Sequence, residues 1–317
     1  MIESISAKLP YLRNAAELPG PLPTLSEIHN SPESQLSPRR VGLSSPGGVI
    51  VVRGTYVVKY GRRVKEYEGN ALLFVEKYLQ IGAPRLYAMY RDEPSGCLYL
   101  VMEYLPGVNL ESVWPHLSNK SKSSVTMQLK DMFDQMGALE PPKDFIGGID
   151  GGTLRDAPFS MVDDDPRVNG PFKSSEEVGL ALALASQDRM EESGRPSWLP
   201  PFFTQHLSVA LKDHEAQFTH GDIHMRNIVV EKVLSNSSPG NAELNERESE
   251  QHHEYRVRGI VDWESAGWYP AYWEYASALA RAQEESDWPE HVGKMMKPYP
   301  MELSMIFLLF QYLQLIY

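Results

Sequence analysis

A chain of 317 residues, 42% hydrophobic and 23% charged, carries enough apolar material for one or two sizeable cores, which excludes a disordered polymer. Its one cysteine, Cys97, excludes an internal disulfide framework and a multi-cysteine zinc site, and favours a reducing compartment, the cytoplasm. A net charge of −12 with no basic block argues against nucleic acid and anionic membranes as partners, while a cationic ligand is better tolerated.

In chain order, residues 1–47 are rich in Pro, Ser and polar residues and read as an irregular leader with one short helix. Met1–Pro10 lacks the apolar core of a secretory signal. Val49–Val52 and Thr55–Tyr60, separated by Arg53-Gly54, predict an antiparallel strand pair joined by a tight turn. Ala71, Leu72, Val75, Tyr78 and Leu79 recur at helical spacing, so Val64–Gln80 predicts a helix that Gly82 ends. Leu86–Tyr90 and Cys97–Glu103 are two further strands around a turn at Asp92–Gly96. From Leu110 onward helices and loops dominate, with helix candidates at Ser174–Glu191 and Pro201–His214. Residues 147–152 are too glycine-dense for helix or strand. Ile228–Val230 and Tyr255–Val261 are short strands flanking a polar insertion, 234–254, expected to be mobile. Ser304–Tyr317 is apolar but short and interrupted by Gln311 and Gln314, so it reads as a buried terminal helix rather than a membrane span.

The chemistry concentrates in His220-Gly221-Asp222-Ile223-His224-Met225-Arg226-Asn227, followed by Ile228-Val229-Val230 and, after the insertion, by Ile260-Val261-Asp262-Trp263-Glu264. Phosphoryl transfer needs few protein groups: a carboxylate that orients the attacking hydroxyl and takes its proton, and oxygen ligands for magnesium. Asp222 is the candidate base. Asn227, at the far end of the same loop, and Asp262, at the end of the next strand, are the candidate metal ligands. His220-Gly221-Asp222 alone is compatible with a polar turn and a capping aspartate; order, spacing and strand context together carry the reading.

This constellation, His-Gly-Asp, four residues, Asn, then Asp-Trp-Glu on a following strand, resembles the aminoglycoside phosphotransferase and choline kinase group, in the wording of its fungal branch. The resemblance extends from about Tyr56 to Pro300 and includes Gly147–Asp156 and Gly170-Pro171-Phe172. It implies an α+β, two-lobed protein-kinase-like fold, with a small antiparallel sheet lobe at residues 48–104 and a larger, mainly helical lobe at 105–317. It also implies ATP and Mg2+ as cofactors and a small-molecule hydroxyl as acceptor. Asp262 is followed by Trp263-Glu264 rather than Phe-Gly, and no activation segment ending in Ala-Pro-Glu is present, both of which argue against a protein kinase. Asp222 has no adjacent arginine.

Lys59 lies in Val57-Val58-Lys59-Tyr60, where strand alternation puts it on the face opposite Val58 and Tyr60, and a lysine on such a strand calls for a partner or a phosphate. By resemblance it contacts the α- and β-phosphates and is held by a glutamate of the next helix. Glu68 starts the row Leu72, Val75, Leu79 and faces inward, whereas Glu66 projects nearly opposite, so Glu68 is chosen. The alternative is an edge-strand lysine with its head in water and a glutamate favoured by the helix dipole. The strand running into Val101-Met102-Glu103-Tyr104-Leu105-Pro106-Gly107 is the expected nucleotide platform, with backbone contacts at Glu103 and Leu105. No Gly-x-Gly-x-x-Gly covers the phosphates; 44–48 borders the site, and Arg53-Gly54 is the strand turn.

Trp263, Trp268, Tyr269, Tyr272, Trp273 and Tyr275, interleaved with Glu264 and Glu274, are read first as packing and alternatively as a receptor for an ammonium group. Asp163-Asp164-Asp165 and His252-His253 read as exposed loop residues. Three functions remain open: a small-molecule kinase, a catalytically silent nucleotide-binding protein of the same fold, and a protein kinase. The acceptor and the oligomeric state are left open.

Overall fold

In the computed structural model, residues 2–31, 47–161, 165–234, 253–282 and 286–315 are described. The expectations for 44–46, for Asp163 and Asp164, for His252 and for most of the insertion 234–254 fall outside them.

The N-terminal lobe is a five-stranded antiparallel sheet. A short strand β1 (Tyr11–Leu12) and a helical turn α1 (Leu25–His29) precede the hairpin β2 (Gly47–Val52) and β3 (Tyr56–Gly61). Helix α2 (Glu66–Tyr78) then crosses to β4 (Leu86–Asp92) and β5 (Cys97–Glu103), and the strand order is β1-β4-β5-β3-β2. The β2–β3 turn puts both Arg53 and Gly54 in the left-handed region, with Thr55 N–H returning to Val52 C=O at 3.2 Å. Arg53 is held there by Glu27 and by the Pro21 carbonyl.

Helix α2 buries Ala71, Leu72 and Val75 of the stripe read from the sequence in one core with residues of β4 and β5, and also Phe74, which stacks on Phe218 of the larger lobe. Gly69 lets it sit close: a Cβ there would come within 2.7 Å of Met89 Sδ and 3.3 Å of a Leu100 methyl. That short helix–sheet distance decides how far Glu68 must reach.

Over its described residues 2–31, the leader is more ordered than an irregular segment. Besides α1, it contributes β1 to the exposed edge of β4, and its Arg13 pairs with Glu76 and donates to the Leu86 carbonyl at 2.8 Å. Ala7 N–H donates to Asn70 Oδ1 at 2.9 Å, and Ile5 N–H donates to the Ile149 carbonyl of the C-terminal lobe at 3.0 Å.

After a crossing at Tyr104–Gly107, the larger lobe opens with β6 (Val108–Asn109), a turn α3 (Leu110–Val113) and the long helix α4 (Asn119–Gly137). Strand β7 (Gly147–Gly148) and two short turns, α5 (Ala157–Ser160) and α6 (Pro166–Asn169), lead to the paired helices α7 (Ser175–Ser193) and α8 (Leu199–Ala210). Next come β8 (Ala216–Thr219), β9 (Ile228–Leu234), β10 (His253–Ile260) and β11 (Gly267–Pro270), then helices α9 (Trp273–Ala280), α10 (Trp288–Met295) and α11 (Pro300–Leu313). Two small antiparallel sheets, β10-β9-β6 and β7-β11-β8, belong to this larger lobe. The fold is α+β and two-lobed, as expected. Among the described residues no helix is long and apolar enough to cross a membrane; α11 packs Ile306, Leu309, Phe310 and Leu313 into the helical core.

If the approach of α2 to the sheet is as tight as Gly69 indicates, Gly69→Val overpacks the contact with Met89 and lowers unfolding stability by about 2 kcal/mol. An unchanged urea midpoint would contradict this.

Candidate active site

Strand β3, helix α2 and the turn after β10 meet at one ammonium group. Lys59 Nζ lies 2.7 Å from Glu68 Oε2, 2.7 Å from Asp262 Oδ1 and 2.8 Å from Glu264 Oε2. Glu68 is on the inward face of α2, while Glu66 instead pairs with Arg91. Burial alone would lower the Lys59 amine, but Glu68, Asp262 and Glu264 outweigh it and hold it well above its ordinary range, so it is a cation. Burial pushes Glu68 up to about 7 against the pull of Lys59, with Asp262 and Glu264 pushing the same way as burial.

Asp262 adopts a left-handed conformation, φ 66° and ψ 59°, at the start of a single helical turn, Trp263–Ser265. A non-glycine residue there is strained, and the surroundings must hold it. They do so through the fully buried Trp263, whose indole N–H donates to the Ile260 carbonyl at 2.7 Å, and through Val261 N–H, which donates to the Asn227 carbonyl at 2.8 Å. The last bond ties the end of β10 to the end of the Asp222–Asn227 loop.

Asn227 Nδ2 donates to the Asp222 carbonyl at 3.0 Å and to Asp222 Oδ2 at 3.2 Å. Its amide nitrogen is therefore committed, and its side-chain oxygen is the atom that remains to face a cation. His220 is buried; burial pushes it down to about 4, so it is neutral. Its Nδ1 accepts Asp222 N–H at 3.2 Å and its Nε2 lies 3.0 Å from the Val261 carbonyl, which fits the Nε2–H tautomer. One imidazole thus sets the spacing between Asp222 and the residue preceding Asp262. Asp222 itself keeps 27% side-chain exposure, with His224 Nε2 3.4 Å from its Oδ2. Burial raises its carboxyl, but His224, Arg281 and His220 outweigh that and hold it at about 2, so it is ionised at neutral pH.

The strand expected to be the nucleotide platform is β5, which ends at Glu103. Glu103 pairs with Tyr56 and Leu100 with Lys59, which puts Glu103 about 10 Å along the strand from the ion cluster. Glu103 N–H donates to the Arg85 carbonyl and Tyr104 N–H to the Thr55 carbonyl, whereas Leu105 N–H has no protein partner among the described residues.

A chelate of hard oxygens suits magnesium. Glu68, Asp262 and Glu264 each place a carboxylate oxygen within 4.8 Å of the others, around the Lys59 ammonium; with the Asn227 amide oxygen, Asp262 gives the oxygen chemistry that such an ion takes.

Several functional groups were not singled out as site residues from the sequence. Glu264 was read with the aromatic run, yet it reaches Lys59. Glu274, assigned to the same run, is buried and accepts His220 N–H at 2.5 Å and Gly221 N–H at 3.2 Å. Asp222 does have an arginine nearby, in space rather than in sequence: Arg281 Nη1 lies 3.9 Å from its Oδ1. The rings Trp263, Trp268, Tyr269, Tyr272 and Trp273 are fully buried, which is packing and not an ammonium receptor.

Once this geometry is compared with solved structures, the match is extensive. An apo, thermostable mutant of the aminoglycoside phosphotransferase APH(4)-Ia superposes with a TM-score of 0.57 at 14% identity, covering 89% of this chain and 85% of that one. The fold is that of the aminoglycoside phosphotransferases. The GDP and kanamycin complex of APH(2")-IIIa aligns with a TM-score of 0.53 at 14% identity over 86% of this chain and 82% of that one. An APH(4)-Ia ternary complex with ADP and hygromycin B aligns at 0.52 and 14% identity, over 86% and 83%. No family model matches the sequence, and no curated protein does.

Burial pushes Glu274 up to about 8, against the His220 and Gly221 N–H bonds. A carboxyl raised above its unfolded value contributes stability that is present below about pH 4.5 and is lost as pH rises through about 8. Glu274→Gln removes that dependence. The stability difference between wild type and the Gln variant, followed by urea unfolding, is expected to shift against wild type from pH 5 to pH 8; parallel profiles would refute the assignment.

Proposed function

We propose that the protein is an ATP- and Mg2+-dependent phosphotransferase that moves the γ-phosphoryl group to a hydroxyl of a small molecule such as an aminoglycoside, an amino alcohol or a related metabolite. The observation that carries this reading is the convergence of Lys59, Glu68 and Asp262 beside a loop that presents Asp222 and Asn227 with their hydrogen bonds already assigned. The complexes of structural neighbours with GDP and kanamycin, and with ADP and hygromycin B, support it from outside this chain.

In this reading Asp222 is the catalytic residue: ionised and partly exposed, it accepts the hydrogen bond of the incoming hydroxyl, orients its oxygen and takes its proton. Lys59, released from Asp262 and Glu264 while kept by Glu68, holds the nucleotide phosphates. The Leu105 N–H and the Glu103 carbonyl receive the base of ATP. Asn227 Oδ1 and Asp262 would hold the metal ion, and magnesium bound there would supply neutralisation of the phosphate charge. The division into 48–104 and 105–317 belongs to the same proposal, as does the reducing, cytoplasmic setting that a lone, buried Cys97 fits. Presence of all four polar groups, Lys59, Asp222, Asn227 and Asp262, favours turnover over a silent scaffold.

Magnesium-dependent ATP consumption against a panel of aminoglycosides, amino alcohols and sugars tests the activity. Asp222→Ala is expected to lower kcat roughly 10²- to 10⁴-fold while leaving nucleotide binding intact. Asp262→Ala is expected to weaken binding of the magnesium nucleotide itself, read by isothermal titration. Full turnover by the Asp222 variant would overturn the mechanism.

A further inference from the structure

The loop that carries Asp222 is held from behind by one helix. Gly221 has φ 85°, and a Cβ there would meet the Ser265 carbonyl at 2.8 Å, so the loop is pressed on the turn that follows Asp262. Glu274 accepts Gly221 N–H, and Arg281 Nη1 donates to Gly221 C=O at 3.2 Å. Glu274 and Arg281 are seven residues apart, two turns of α9 and its C-cap, so the same helix face reads both polar groups of one residue.

Arg281 is in turn fixed by its surroundings. Its Nη2 pairs with Asp156 Oδ1 at 2.5 Å, and the two side chains are 4% and 3% exposed. Trp273 Nε1 donates to Asp156 Oδ2 at 2.8 Å, Asp156 N–H donates to the Tyr269 hydroxyl at 3.2 Å, and the guanidinium lies over the Phe310 ring at 4.9 Å. Burying two ions costs desolvation that their attraction only offsets, and an apolar pair of similar size is often as stable. Stability is therefore a weak reason for this pair. What an apolar pair cannot do is reach the Gly221 carbonyl and stand beside the Asp222 carboxylate.

We propose that Arg281, held in one rotamer by Asp156, is a positioning residue: it fixes the Gly221 carbonyl and the Oδ1 edge of Asp222, so that the carboxylate is presented to the cleft in a single orientation. Its service to the reaction rests on the phosphotransfer reading above, whereas the clamp on the loop does not.

Two variants separate this from a purely structural role. Arg281→Lys keeps the charge pair with Asp156, but one ammonium cannot span Asp156, the Gly221 carbonyl and Asp222 together. The double variant D156N/R281M removes both charges, leaving neither ion buried alone. Amide hydrogen exchange over 220–224 is measured by mass spectrometry, with α7 as an internal control, alongside steady-state kinetics with MgATP and any acceptor that turns over. In both variants exchange at 220–224 is expected to rise about tenfold or more with α7 unchanged. kcat is expected to fall roughly 10²-fold in the double variant and less in Arg281→Lys, with the KM for ATP within about twofold of wild type. Wild-type exchange at 220–224 in Arg281→Lys overturns the proposal whether or not the double variant folds, and so does a KM for ATP that rises as much as kcat falls. Absence of phosphoryl transfer by the wild type would remove the phosphotransferase reading alone, because the exchange arm still decides the clamp.

Discussion

An ammonium group with 12% side-chain exposure cannot persist without compensation, and Lys59 obtains it from three carboxylates on two separate pieces of chain. Glu68 comes from the helix laid on the N-terminal sheet, and Asp262 and Glu264 come from the turn after β10 in the other lobe. In this structure that cation therefore ties the helix of one lobe to the turn of the other. Everything else around it is a means of delivering those carboxylates: the close seat of α2 at Gly69, the buried Trp263 under the turn, and the strained backbone of Asp262.

The opposite wall is assembled mostly from main-chain hydrogen bonds. Val261 N–H meets the Asn227 carbonyl, His220 joins Asp222 N–H to the Val261 carbonyl, and Glu274 gathers the His220 and Gly221 N–H groups. A loop anchored through its peptide groups can hold Asp222 and Asn227 against each other without using either side chain as its anchor. Asp222 and Asn227 can then differ in role although they lie only five residues apart: one has its nitrogen partner supplied, the other has that nitrogen committed.

How much of this the sequence disclosed depended on whether side-chain periodicity was involved. Glu68 was legible because it starts an apolar row with Leu72, Val75 and Leu79, and the row must face the sheet. The hairpin at Arg53-Gly54 was legible from its flanking β-branched runs. Glu264 was not, because residues following a left-handed Asp262 no longer alternate in any fixed sense. Arg281 and Glu274 were hidden for a different reason: their partners are peptide groups of His220 and Gly221, and a carbonyl or N–H leaves no trace in residue type. Strands β8 and β11, four residues each, are too short to show alternation; they exist because Gly267–Pro270 pairs with Ala216–Thr219.

The segment before α1 touches both lobes. β1 is zipped to β4, Ala7 is bonded to Asn70, and Ile5 is bonded to Ile149 of the larger lobe. A strap attached at both ends converts separation of the lobes into tension along a few residues, and the bond at Ile5 is the thinnest point of attachment. Any separation of the two lobes would have to break those bonds as well, so a stretch of chain remote from the Lys59 cluster adds to the cost of parting them.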